Sequence, residues 1–198
     1  MIAILIFLGV LIVFFLYLTG VYNSLVALRN HVKNAWSQID VQLKRRHDLI
    51  PNLVETAKGY LKHERETLEA VIQARNQAVH HLNQVNQGSA FTPGQAQKAM
   101  QSESILTGAL SKLMVVMEQY PELKANQNMI QVSEELTSTE NRIGFARQAF
   151  NDATTQYNIR TESFPDLILA RLFKFDGLPL WELEDKTQRQ VPKVSFSS

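Results

Sequence analysis

Histidine and carboxylate side chains are the groups through which this 198-residue sequence could do chemistry, and two pairs place them side by side. His47-Asp48 and His63-Glu64 offer the combination used in general acid–base catalysis and in metal binding. His63-Glu64 begins like the His-Glu-x-x-His motif of zinc hydrolases, but Thr67 stands where the second histidine would be. No nucleophile motif accompanies either pair. We therefore predict no catalytic residue, although these four side chains are the first candidates if the protein is an enzyme.

A metal or cofactor site is not predicted either. His80 and His81 are adjacent, so on a helix they point about 100° apart, which disfavours joint chelation. Di-metal helical bundles need a Glu-x-x-His motif on two helices, and this sequence contains none. A phosphate-binding loop and a dinucleotide fingerprint are also missing, so we expect no cofactor and no small-molecule substrate.

The overall charge and the lack of cysteine exclude further classes of function. The sequence has twenty basic and nineteen acidic residues and a net charge of +1. This balance gives no strong positive electrostatic potential that would attract nucleic acid. The absence of cysteine rules out disulfides, thiol catalysis and cysteine-bound metals. We interpret the charged residues of the predicted helices as solvated faces and inter-helix ion pairs, with a recognition surface as the alternative; they are Arg45, Arg46, Asp48, Glu55, Glu118, Glu134, Glu135, Glu140 and Arg142.

The N-terminal segment predicts a membrane anchor. Fourteen of the seventeen residues from position 2 to position 18 are Leu, Ile, Val or Phe, and none is charged. With Tyr17 and Tyr22 as interfacial aromatics, residues 1–22 are long enough to span a bilayer as a helix. No basic residue precedes the apolar run, whereas Arg29 and Lys33 follow it. We therefore expect a single-pass anchor in the cell membrane, with the N-terminus outside and the C-terminal domain in the cytoplasm.

Helical periodicity continues beyond the anchor. Apolar residues alternate in steps of four and three at Val21, Leu25, Leu28, Val32, Ala35 and Ile39, which is the seam pattern of a packed helix. Pro51 predicts a kink or break, with renewed helix through Tyr60. A second helix should end in a loop over residues 86–92, and Thr92-Pro93 should begin the third. Pro121 should close the third helix and can open the fourth.

The fourth helix carries the most regular pattern. Two series of residues seven apart, offset by three, extend over four heptads: Met129, Leu136, Ile143, Phe150 and Tyr157, with Val132, Thr139, Ala146 and Ala153. This a/d pattern is typical of a bundle core rather than a ligand site, and it predicts antiparallel neighbours and a coiled-coil-like seam. We predict an all-α fold, in which an N-terminal transmembrane helix continues into a long-helix antiparallel four-helix bundle.

The chain should have three parts: an anchor over residues 1–22, the bundle over residues 23–165, and a C-terminal packing segment with a mobile tail over residues 166–198. Apolar residues cluster between Leu167 and Trp181, around Gly177 and Pro179. We interpret this cluster as a segment that packs back on the bundle; a partner-binding patch is the alternative. Residues from about Asp185 onward have the composition of a polar tail.

Several polar motifs resemble the LemA family of bacterial membrane proteins over residues 1–175. The residues that carry the resemblance are Tyr22-Asn23, Ala35-Trp36, Ile39-Asp40-Val41-Gln42-Leu43-Lys44-Arg45-Arg46, Asp48-Leu49-Ile50-Pro51-Asn52-Leu53-Val54, His63-Glu64, Ala74-Arg75, Glu118-Gln119-Tyr120-Pro121-Glu122-Leu123-Lys124-Ala125-Asn126, Thr139-Glu140-Asn141-Arg142-Ile143, Ala146-Arg147, Tyr157-Asn158 and Phe164-Pro165. Phe150 departs from the family, which more often has Tyr before Asn. The resemblance implies an N-terminal anchor, an antiparallel four-helix domain and the company of other envelope proteins, membrane proteases among them; it gives no catalytic residue to transfer.

Three functional hypotheses follow. The leading one is a membrane-anchored helical scaffold or interaction protein of the bacterial inner membrane, which assembles with copies of itself or binds another envelope protein. The alternative is a transmembrane signalling or regulatory component of a membrane protein system such as a protease. An enzyme that uses His47, Asp48, His63 or Glu64 is the third.

Overall fold

The protein is described by a computed structural model over residues 1–87 and 91–182. Within these ranges every regular element is a helix, and the bounds are α1 (Ile2–Lys58), α2 (Arg65–Gln87), α3 (Pro93–Met117), α4 (Pro121–Lys124), α5 (Gln127–Glu162) and α6 (Asp166–Leu172). The long helices α2, α3 and α5 pack with the second half of α1 as a four-helix bundle. The all-α bundle predicted from the sequence is confirmed.

Helix α1 joins the apolar N-terminus to the bundle without a break. Its 57 residues correspond to a rod about 85 Å long. The side chains of residues 2–17 are exposed, and burial begins at Val21 and Leu25. In the part of the chain that the structure describes, α1 is the one helix long and apolar enough to cross a membrane. The N-terminal segment therefore fits a membrane anchor, as predicted.

Helix α1 does not break at Pro51, because it passes through this residue and ends at Lys58. The predicted break is therefore wrong, and the alternative of a kink stays a prediction. Proline has no backbone N–H, so the carbonyl of His47, four residues earlier, loses its helical donor. Arg75 on α2 replaces that donor: its Nε donates to the His47 carbonyl oxygen at 2.9 Å. The contact satisfies a polar group that a proline would otherwise leave unpaired inside the bundle.

Side-chain contacts give the direction and register of the helices. Trp36 packs against Phe150 and Arg46 binds Glu140, so α1 and α5 run antiparallel. Asp40 of α1 accepts a hydrogen bond from Asn86, while Arg75 reaches His47, so α1 and α2 are antiparallel as well. Helix α3 runs parallel to α1, because Phe91, just before α3, meets Trp36 and Glu103 meets Arg46. This is an up-down-up-down arrangement.

The ends of the helices follow the local sequence in part. Thr92 and Pro93 begin α3 as predicted, but α2 extends to Gln87 and the rest of the expected loop includes residues outside the described ranges. Pro121 does not open the fourth long helix. It begins the four-residue helix α4, and α5 starts only at Gln127, where the Asn126 side chain accepts from the backbone N–H groups of residues 128 and 129. Asn126 is therefore the cap that the sequence pattern had not identified.

The core is divided into two apolar clusters. One lies near the anchor and includes Leu43 of α1 and Ile143 of α5. The other lies at the far end and includes Ile50 of α1 and Leu136 of α5. The heptad positions predicted on α5 are buried or half-buried in these clusters. Between the clusters, a layer of polar side chains crosses the bundle.

Two asparagines of α5 hold the chain that follows α6. The Asn158 side-chain amide accepts from the backbone N–H of Leu178 and donates to its carbonyl, both at 2.9 Å. Asn151, seven residues earlier, makes the same pair of bonds with Trp181, at 2.8 and 3.0 Å. Phe175 and Trp181 are buried as a result. Residues 176–181 thus pack on the bundle, whereas the predicted polar tail lies outside the described residues.

Candidate functional site, a buried polar layer

The polar layer between the two apolar clusters is built by Arg46 and His47 of α1, Glu103 and Thr107 of α3, and Glu140 of α5. Arg46 and Glu103 are each only 2% exposed. The guanidinium of Arg46 forms ion pairs with Glu103 and with Glu140, the latter at 2.6 Å, and donates to the Thr107 hydroxyl at 3.2 Å. One arginine therefore connects three helices.

His47 completes the environment of the buried carboxylate. Its Nε2 lies 2.8 Å from Glu103 Oε1, so the imidazole donates to one carboxylate oxygen while Arg46 binds the other. Burial by itself would raise the pKa of the Glu103 carboxyl, but the hydrogen bond from His47 and the charge of Arg46 outweigh it and hold this pKa below its ordinary value of 4.5. Glu103 is thus a buried anion that the fold stabilises.

The lowered pKa of Glu103 predicts a specific loss of stability in acid. Because this pKa is lower in the folded than in the unfolded chain, the stabilisation is complete above pH 4.5 and is lost as the pH falls below that value. Thermal unfolding of the full chain, followed by circular dichroism between about pH 6 and pH 3.5, should show this decline. Glu103→Gln should flatten it, whereas the exposed carboxylate variant Glu135→Gln should keep the wild-type slope. Equal slopes for wild type and Glu103→Gln would show that Glu103 is not the responsible group.

The side chains considered for catalysis do not come together. His47 is buried in the polar layer, but its neighbour Asp48 is exposed. His63 is exposed in a surface groove at the far end of the bundle, beside Tyr60 and Tyr120. Glu64 follows it in the connection between α1 and α2, so neither residue reaches the layer that holds His47.

The two histidines of α2 lie beside each other. The ring of His80 is exposed and bonds Gln84 at 3.0 Å, and the ring centroid of His81 lies 5.6 Å from that of His80. Among the described residues, no three His, Asp or Glu side chains are grouped as metal ligands. A cavity beside Arg46 and Glu103 has a volume of about 50 Å³. That volume suits water molecules rather than an organic substrate.

Trp181 and Arg147 close the polar layer on one side. Together with Arg46 and Glu103 they line the small cavity, and the guanidinium of Arg147 lies 5.8 Å from the centre of the Trp181 ring. This distance is typical of a cation–π contact. The segment held by Asn151 therefore also shields the buried charges from solvent.

The charged residues of the sequence separate into two groups in the structure. Arg45 binds Glu135 at the surface, as expected of an inter-helix ion pair. Arg46 also forms inter-helix ion pairs, as interpreted, but it is buried and not on a solvated face, although it lies one position away from Arg45. The sequence pattern did contain a signal: Arg46 continues the core series Ile39, Leu43, Ile50, and Glu103 stands at core spacing between Ala99 and Leu106. A charge at a heptad core position is the feature that could have revealed the layer.

The anchor-like N-terminal helix and the charged layer within a four-helix bundle define the chain as a membrane-associated helical protein. The chain belongs to the LemA family, whose family model matches residues 35–196. It is 28% identical to protein LemA of Metamycoplasma hominis over 152 residues, which cover 77% of this chain and 64% of that protein. It is 25% identical to magnetosome protein MamQ of Magnetospirillum gryphiswaldense over 168 residues, which cover 78% of this chain and 62% of that protein. The chain thus spans less than two thirds of the length of these relatives.

Proposed function

We propose that this protein is a membrane-anchored scaffold that assembles with copies of itself and presents its bundle to other proteins of the bacterial inner membrane. The observation that carries the proposal is the continuity of α1. The same helix supplies the exposed apolar segment of residues 2–17 and one wall of the bundle core. A bundle attached through an unbroken helix has no flexible linker at the membrane, so its position is set by the anchor.

Rigidity at the centre of the bundle supports a scaffold role. The ion pairs of Arg46 join α1 to α3 and α5, and Arg75 joins α2 to the backbone of α1. All four long helices are therefore connected by charged contacts at one level. A scaffold needs such a fixed frame, because a partner binds most tightly to a surface that does not have to be ordered first.

We further propose Phe145 as a contact point between copies. It is 74% exposed on α5, more than any other large apolar side chain that the structure describes between residues 19 and 162. It lies midway between Glu140 and Phe150, at the level of Val41 on α1, which is also exposed. Copies anchored in one membrane with the same orientation carry these residues at equal height, as a symmetric interface requires. We place the bundle on the cytoplasmic side, because Arg29 and Lys33 follow the anchor.

The proposal predicts a particle larger than one chain. We expect that the intact protein, extracted from its native membrane with an amphipathic polymer, has a protein mass that is a multiple of 22.5 kDa. Phe145→Lys should shift the population toward the monomer, whereas the matched change Val115→Lys on α3 should not. Protease added to spheroplasts, whose outer membrane has been opened, should spare the bundle if it is cytoplasmic.

Other outcomes would contradict specific parts of this proposal. A stoichiometric second protein without a second copy would replace self-assembly by an adaptor role. A bare monomer would reject the scaffold and favour the signalling or enzyme hypotheses. Unchanged assembly of Phe145→Lys would leave the scaffold in place but remove Phe145 as its contact point.

A further inference from the structure

Helix α6 lies beside the end of the membrane anchor. The Tyr17 hydroxyl donates to Asp166 Oδ1 at 3.2 Å, and Tyr17 belongs to the apolar stretch of α1. At the other end of α6, the ring of Phe173 meets the ring of Tyr22 edge-on, with centroids 5.0 Å apart. These two contacts place α6 along residues 17–22 of α1, where the anchor passes into the bundle.

The two sides of this segment differ in exposure. Leu169 and Ala170 are buried against the bundle. On the opposite side, Ile168 and Leu172 are four residues apart, which is the spacing of one helical face, and Phe164 lies just before the helix. Phe164, Ile168 and Leu172 are 82%, 61% and 70% exposed. Three large apolar side chains are therefore presented together to the surroundings of the anchor.

We propose that the apolar face formed by Phe164, Ile168 and Leu172 lies in the boundary between lipid headgroups and acyl chains, as a second membrane contact beside α1. This inference rests on the proposed membrane anchoring, which fixes the height of α6. If Tyr17 and Tyr22 are at the membrane interface, the segment tied to them is there too. An apolar face at that depth is buried in the bilayer boundary without any change in the fold.

The charges around α6 favour an apolar contact over an electrostatic one. Arg171 and Lys174 are exposed near the face, but Glu162 and Asp176 are exposed there as well. Their charges balance, and Asp166 is paired with Arg160. Binding should therefore depend little on salt or on anionic lipid. We infer that the lipid bilayer covers this face, because α1 anchors every copy with the face at the membrane surface.

A second contact with the membrane would fix the rotation of the bundle about α1. The anchor alone leaves the bundle free to turn around the long axis of the helix. An apolar face on one side of that axis removes this freedom, because only one orientation buries it. The faces that the bundle offers to neighbouring proteins would then be set by α6.

Site-specific fluorescence quenching in the full chain tests this proposal. The chain has no cysteine, so Ile168→Cys and Leu172→Cys each provide a single site for a bimane label. The proteins are reconstituted in phosphatidylcholine vesicles with and without brominated acyl chains. We expect bromine to reduce the emission of both labels by about half or more, unchanged by salt or by added phosphatidylglycerol. Phe7→Cys within the anchor is the positive control, and Val115→Cys, exposed toward the far end of α3, is the negative control.

The controls separate this proposal from the anchoring on which it rests. Quenching at Phe7 without quenching at Ile168 and Leu172 would overturn the interfacial face and leave the anchor intact. Absence of quenching at Phe7 would overturn the anchor and the face together. Quenching at Ile168 and Leu172 that appears only when the protein is diluted in lipid would show that a second copy covers the face, which also overturns the proposal. Circular dichroism of each variant verifies that the helical fold is retained.

Discussion

Replacement of Arg46 by methionine should lower the free energy of unfolding by about 3–5 kcal/mol. The change removes the guanidinium but keeps an unbranched apolar stem of similar length. The buried carboxylate of Glu103 then keeps its contact with the imidazole of His47 but loses its ion pair with Arg46. Glu140 loses its partner on α1. The large cost arises because an uncompensated charge inside the bundle cannot be solvated. Denaturant unfolding of the full chain in lipid nanodiscs, followed by circular dichroism, measures the effect.

The neighbouring arginine supplies a matched control. Arg45 precedes Arg46 by one residue and also binds a glutamate of α5, but both members of that pair are exposed. Arg45→Met should therefore cost at most about 1 kcal/mol. Similar losses for the two variants would mean that burial of Arg46 does not decide the energy of the layer.

Simultaneous replacement of Arg46 and Glu103 should restore much of the free energy of unfolding that the Arg46 variant loses. In the variant Arg46→Met with Glu103→Leu, no uncompensated charge remains between α1 and α3. Buried ion pairs replaced by apolar groups of similar volume are often neutral in stability. We expect the double variant to be more stable than Arg46→Met alone. Strictly additive losses would show that the two side chains are not coupled.

Arg75→Leu should cost about 1–3 kcal/mol, the range for a buried backbone group that loses its hydrogen bond. The affected group is the His47 carbonyl, which Pro51 deprives of its helical donor. The loss should shrink by about 1 kcal/mol or more when Pro51 is replaced by alanine, because residue 51 then has an N–H to donate. Unfolding of the two single variants and the double variant forms the required thermodynamic cycle.

The control for this cycle is a second arginine of the same helix. Arg65 is exposed on α2 and pairs only with Glu69, four residues later. Arg65→Leu should change stability by at most about 1 kcal/mol, with or without Pro51→Ala. If the cost of Arg75→Leu were identical in both backgrounds, the contact with the carbonyl would have no energetic link to the proline.

The sequence could predict those parts of the fold that depend on apolar periodicity. The series from Met129 to Tyr157 is buried along α5 because each heptad repeats the same requirement, so a single exception would not obscure it. The anchor was equally predictable, since its composition alone determines its preference for lipid. Thr92-Pro93 began α3 because the preferences of proline act locally.

The pairing of residues within the polar layer and the continuity of α1 through Pro51 could not be predicted in the same way. Arg46 and Glu103 are 57 positions apart, and nothing local to either residue identifies its partner. Pro51 predicts a kink or break in α1 because the local rule considers only the helix that contains the proline. The donor that compensates for it comes from Arg75 on another helix. Contacts of this kind become visible only when the fold brings distant segments together.

The uninterrupted course of α1 also determines how far the protein reaches from the membrane. Forty residues separate Leu18, near the end of the apolar stretch, from Lys58, where the helix ends. At 1.5 Å per residue, the turn after α1 stands about 60 Å above the anchor. A neighbouring membrane protein whose domain extends less far from the bilayer on the same side can contact only the part of the bundle nearest the bilayer. The end of the bundle farthest from the membrane can be contacted only by proteins that extend about as far from the bilayer or that approach from the solvent.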